Sequence, residues 1–240
     1  MSKTAVRSAL ELSEYIRCWP TPRSKNWTLG FLDEAGNNDN IMAVVAVGST
    51  VRPAVHSVDL DLVVICREPA ELNAKPPIEI DFRKYQACKV EKQIAQGNDL
   101  LGWAVKFGSV LFQREGYWDR IMESWRYRLP LPSADVSDKR AAEAFCRLTN
   151  VLEVGDVDAA HEQALSYATH LARTELLKRE VYPASRPELP GQLRSVGCYQ
   201  IADCLERLIN PNADHSKLIG ELVKNHCITR RYTRQPPASR

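Results

Sequence analysis

The sequence predicts an α+β domain followed by an all-helical one. Three observations predict it. Short β-rich runs, IMAVVAV and VDLDLVVIC, are confined to the first half of the chain. Apolar stripes at helical spacing fill the second half. A proline-broken segment, LPLPSADVSD, separates the two. Strands mixed with helices, and then helices alone, indicate a mixed sheet with covering helices joined to a helical bundle.

Residues 4–18 carry charged and apolar residues at helical spacing, which predicts a helix. They lack the apolar core and small-residue cleavage site of a secretory leader. Ile41–Val47 is apolar throughout, as in a strand covered on both faces. Val58–Cys66 predicts a second strand and Ile78–Phe82 a short third one. Helices are expected over about Val90–Phe107 and Tyr117–Trp125. Pro130 and Pro132 then interrupt the pattern, and Ser137 and Asp138 offer caps for the next helix. The expected domains are therefore 1–130 and 138–230.

In the second half, Phe145, Leu148 and Leu152 share one helical face. A run from Asp156 aligns Ala164, Leu165, Ala168, Leu171 and Ala172. VYPASRPELPG reads as a Pro-rich connection. Ile201, Cys204, Leu205, Leu208 and Ile209 mark a helix ended by Asn210-Pro211, and a last one is expected over about Asp214–Ile228. Residues 231–240 read as a flexible basic tail.

Composition excludes several function classes. The hydrophobic fraction of 44% and charged fraction of 26% are those of a folded domain. No apolar run approaches the roughly 20 residues that span a bilayer, so no membrane partner is expected. Thirty-two basic against thirty acidic residues leave +2, which makes no electrostatic case for a long nucleic acid. Seven cysteines without a CxxC pair, and five histidines without zinc spacing, argue for reduced thiols in the cytoplasm.

The chemistry-bearing residues cluster at strand ends. Asp59 and Asp61 are two apart in VDLDLVV, so both carboxylates share one face. Val58, Leu60 and Leu62 are expected to point the other way, into a core. Adjacent like charges raise each other's pKa and cost folding energy. A divalent cation gives them a reason, because Mg²⁺ takes carboxylate oxygens and leaves positions for phosphates. Asp81 in IEIDF is the third candidate, and Glu79, on the same face by the period-two rule, is its competitor. Three carboxylates from adjacent strands can hold two metals about 4 Å apart. Upstream, the buried strand runs into Gly48-Ser49, a turn suited to phosphate, with Arg52 three residues on. Each feature alone is common; their order along one segment is the signal.

The stretch AVVAVGSTVRPAVHSVDLDLVVI resembles the signature of the DNA polymerase β-type nucleotidyltransferase superfamily. Gly48, Ser49, Arg52, Asp59 and Asp61 fall on it one by one, and Asp81 by its place on the next strand. The resemblance implies a metal-dependent transfer of a nucleoside monophosphate from a nucleoside triphosphate to a hydroxyl acceptor, releasing pyrophosphate. It implies two Mg²⁺ ions on Asp59, Asp61 and Asp81, and nucleotide binding by Gly48, Ser49 and Arg52, with ATP among the candidate nucleotides. The acceptor is left open between a small molecule, a protein hydroxyl and an RNA end. Two positions depart from the signature: Pro53 stands where many members have Gly, and Val58 where many have Ser, with Ser57 one earlier.

The second half resembles, more loosely, the helical domains of bacterial small nucleotidyltransferases. That leaves a second reading, a non-catalytic nucleotide-binding or antitoxin-like interaction protein of the same fold. Ligand binding is expected between the domains. Tyr167, Arg173 and Lys178 are candidate triphosphate contacts, as are Arg114 and Arg120 in an aromatic zone from Trp103 to Trp125 that otherwise reads as core.

Overall fold

A computed structural model describes residues 15–52, 57–69 and 75–233. The chain divides into two compact units, Met1–Pro132 and Ser133–Arg240. The first is α+β and the second is helical. Among the described residues, no helix is long and apolar enough to cross a membrane.

In the first unit the elements run α1 (Pro22–Asn37), β1 (Ile41–Val47), β2 (Leu60–Cys66), β3 (Ile80–Gln86), α2 (Ala87–Ala95), α3 (Asp99–Phe107), β4 (Ser109–Gln113) and α4 (Tyr117–Trp125). The sheet has the order β3-β2-β1-β4. β1 is antiparallel to β2 and β4, and β2 is parallel to β3. β1 is buried along its whole length, as its apolar sequence requires.

Several boundaries differ from expectation. β2 begins at Leu60, and Val58 is 84% exposed rather than in the core. Its ladder to β1 ends at Val47↔Asp61, where β1 turns off at Gly48, so residue 58 has no strand to cover it. β3 starts two residues late, leaving Ile78 99% exposed, and continues past Phe82 to Gln86. There it pairs with β2 as far as Cys66, although its outer positions are polar. The single helix expected over 90–107 is two. Gly97, at φ +77°, ends the first, and the Asn98 side chain accepts from the Leu101 N–H at 3.0 Å to start the second.

α1 and β4 are not foreseen. α1 has few apolar residues, but a capping box starts it: Thr21 accepts from the Ser24 N–H at 3.0 Å, the Ser24 hydroxyl accepts from the Thr21 N–H at 3.1 Å, and Pro22 occupies the first turn. The helix expected over 4–18 lies mostly outside the described residues.

The helical unit comprises α5 (Ala134–Glu153), α6 (Val157–Leu177), α7 (Leu189–Ser195), α8 (Tyr199–Ile209) and α9 (His215–Thr233). α5 is capped by Ser133, not by Ser137 or Asp138, and Ser137 is buried within it. α6 is capped by Asp156, which accepts from the Ala159 N–H at 3.0 Å. α7 begins inside the segment expected to be a connection and runs past its end at Gly191, with Pro190 in its first turn. α9 runs past Ile228 into the expected tail, the rest of which lies outside the described residues. Ala141, Ala144, Ala160, Ala164 and Ala168 let α5 and α6 pack closely around Leu148.

Candidate active site at one end of the sheet

The strand directions gather four chain segments at one sheet end. Val47, at the end of β1, pairs with Asp61 near the start of β2. Asp61 pairs in parallel register with Asp81 near the start of β3, and Ala46 pairs with Ser109 at the start of β4. Directly paired residues of parallel strands share a face, so Asp61 and Asp81 lie side by side, with Asp59 two residues upstream. The opposite face of β2 carries Leu60 and Leu62, both buried.

Asp59 and Asp81 are exposed, whereas Asp61 is half-buried. Burial, then the charges of Asp59 and Asp81, push the Asp61 carboxyl up from 3.8 to about 6, against the pull of Arg83. Arg83 donates from Nη2 to Asp81 Oδ2 at 2.8 Å.

Gly48 is required twice over. Its φ of +83° and ψ of −160° are closed to residues with a side chain. A Cβ added there would also lie 2.7 Å from Asp61 Oδ2. The turn is tied to β2 by hydroxyls. Ser57 Oγ donates to the Asp59 carbonyl at 2.8 Å, and Ser49 and Ser57 share a 2.7 Å hydrogen bond. With its one proton on Asp59, Ser57 must accept from Ser49. The Arg52 N–H donates to the Ser49 carbonyl at 3.1 Å. Its guanidinium lies 4.9 Å from the Phe107 ring centroid, and Lys106 Nζ lies 5.7 Å from the same ring.

Gly48, Ser49, Asp59, Asp61 and Asp81 are therefore linked by contact, hydrogen bond, register or charge, and Arg52 adjoins the Ser49 turn. Glu79 precedes β3 rather than lying on it; its carbonyl accepts from the Leu60 N–H at 2.7 Å. Its Oε2 is buried without a hydrogen-bond partner among the described residues. Other candidates have structural occupations. Arg114 is buried and donates to the carbonyls of Ile41, Ala35, Gly36 and Asn38, satisfying the end of α1. Arg120 donates to the Glu115 carbonyl. Tyr167 is buried against Phe145 in the helical core. Lys178 pairs with Glu175 at 3.4 Å, and Arg173 lies on α6. Pro53 lies outside the described residues.

Sequence reasoning missed two residues of the site. Ser57 stands one position before the expected serine, yet its hydroxyl still bridges the turn and β2. Arg83 was legible by the period-two rule that singled out the acids, since it shares the face of Asp81.

The donors fit a hard divalent cation. They are carboxylate oxygens, and burial and then like charge raise the pKa of one of them. Among the described residues, no three His, Cys, Asp or Glu side chains already stand close enough together to hold a metal ion. Asp81 is turned to Arg83 instead.

No protein-family model matches the chain, and no curated protein matches it. Among solved structures it is similar to a nucleotidyltransferase-like protein from Exiguobacterium sibiricum, at 17% identity and a TM-score of 0.39, over 81% of this chain and 70% of that one. The chemistry open to the site is set by this chain's own residues.

Proposed function

We propose that the protein is a metal-dependent nucleotidyltransferase, moving a nucleoside monophosphate from a nucleoside triphosphate to a hydroxyl acceptor. The observation that carries this reading is the in-register pairing of Asp61 with Asp81, beside Asp59 and against the Gly48 turn. Folding alone disfavours such crowding of charge.

Asp59 and Asp61 would hold two Mg²⁺ ions, and Asp81 would complete the site on the acceptor side. Bound there, Mg²⁺ neutralises phosphate charge and makes an acceptor hydroxyl easier to deprotonate. The chain's own contributions are positional. The Gly48 turn, free of a Cβ, lets phosphate oxygens approach the backbone. The Ser49 proton, now directed at Ser57, would turn to a β- or γ-phosphate oxygen. Arg52 would add a charged donor beside it. Holding both ends of the displacement in line is the main requirement of phosphoryl-type transfer.

The test is pyrophosphate release from nucleoside triphosphates, ATP first, with and without Mg²⁺, across small-molecule, protein and RNA acceptors. Asp81→Asn should abolish transfer while triphosphate still binds, and Glu79→Gln should be mild. The reverse ranking reassigns the third ligand to Glu79. If no nucleotide binds with Mg²⁺ by calorimetry, the reading is wrong. Binding without turnover would favour an interaction protein on the same fold.

A further inference from the structure

We propose that Arg83 is the resident counter-cation of the acid cluster, and that a divalent cation binding Asp81 competes with it. This rests on the nucleotidyl-transfer reading of the site.

Side chains alternate along β3, so Arg83 lies on the face of Asp81, one step further from the sheet end. Its guanidinium is 2.8 Å from Asp81 Oδ2, and its charge opposes that of Asp61 as well. The pair is open to solvent, with Arg83 66% and Asp81 54% exposed. Such a pair contributes little to folding, so stability gives it no strong purpose. Its effect is local: it engages one oxygen of the carboxylate that would complete a metal site, with a charge that deprotonation cannot remove. Arginine and metal then compete for the charge of one carboxylate. The same exposure that makes the pair weak makes it exchangeable. Once displaced, the guanidinium is a planar fork beside the metals, suited to two oxygens of one phosphate. Arg83 is thus a positioning residue with opposite effects on the two ligands: it opposes metal alone and favours metal with triphosphate.

The experiment titrates Mn²⁺ alone into the full chain and follows the loss of the free-ion electron paramagnetic resonance signal. Parent, R83Q, R83K and D61N are compared, with a melt of each to confirm folding. R83Q should bind Mn²⁺ about two- to fivefold more tightly than the parent, the range of an exposed ion pair. R83K, which keeps the charge, should stay near the parent, and D61N should bind more weakly. With Mn²⁺ saturating, R83Q should then bind a non-hydrolysable triphosphate more weakly than the parent. If R83Q binds Mn²⁺ no more tightly while D61N still loses affinity, the metal site stands and the role given to Arg83 is wrong. If neither parent nor R83Q takes up Mn²⁺, both the role and the reading beneath it fail.

Discussion

In the helical unit Arg194 reaches two carboxylates at once, Asp203 at 2.7 Å and Glu206 at 2.6 Å. At the sheet end of the other unit, Asp61 faces two carboxylates, Asp59 and Asp81. The pKa consequences have opposite signs. The hydrogen bond from Arg194 holds Glu206 below the usual carboxylate range, while burial and like charge lift Asp61 to about 6. One arrangement pairs opposite charges. The other crowds like ones, which folding by itself disfavours.

The most severe challenge to this contrast is to remove a charge from the crowded end. Asp61→Asn should lower transfer below about 1% of the parent, because metal-held charge carries several kcal/mol of transition-state stabilisation. A pyrophosphate-release assay on a variant that melts normally checks it. Substantial turnover would make Asp61 an ordinary strand residue.

The converse belongs in the helical unit, where packing dominates. Leu148 is fully buried among alanines of α5 and α6. Leu148→Ala should cost about 2–5 kcal/mol in urea unfolding, since small neighbours close poorly around a cavity. A cost under about 1 kcal/mol would mean that this core is loosely packed.

Acidity separates the two regions further. The unfolded Asp61 carboxyl titrates near 3.8 and the folded one near 6, so between those values the folded state binds more protons. The metal-free protein should therefore gain stability from Asp61, on the order of 2 kcal/mol, as pH falls from about 6 towards 4. Asp61→Asn should lose that rise, which paired melts across the range would show. Metal binding should weaken over the same interval as protons compete for the carboxylate.

The smallest effect is expected from Arg194→Ala. Its ion pairs are exposed, and exposed pairs contribute little. Its melting temperature should stay within the scatter of replicate scans; a clear drop would show that these surface pairs act as a network.

Much of this was legible because it obeys a period. The strand cores of β1 and β2 and the stripes of α6 and α8 all come from spacing. What was hidden obeys contact instead. α1 is carried by a cap and by a buried face in which Ser24 and Thr28 continue the row of Phe31, Leu32 and Ala35, so part of that face is polar in sequence. β3 extends through polar residues because β2 offers it partners. The parallel register that sets Asp81 beside Asp61 is a property of two strands, and neither strand encodes it alone. Ser57 looked one residue out of place, yet its hydroxyl reaches both Ser49 and the Asp59 carbonyl, a pairing that residue count does not show.

Arg114 ties the earliest described helix to a late arrival. Its guanidinium donates to the Ala35 carbonyl across 79 residues of sequence. At about 5–20 residues per second, α1 would leave the ribosome roughly 4 to 16 s before that donor does. Through that interval the Ala35 and Gly36 carbonyls lack this donor. The helix is finished by the residue that follows β4, so its end closes only after most of this unit has been made. A nascent chain stalled before residue 114 should therefore be cut by protease near Ala35, and one stalled well beyond it should resist.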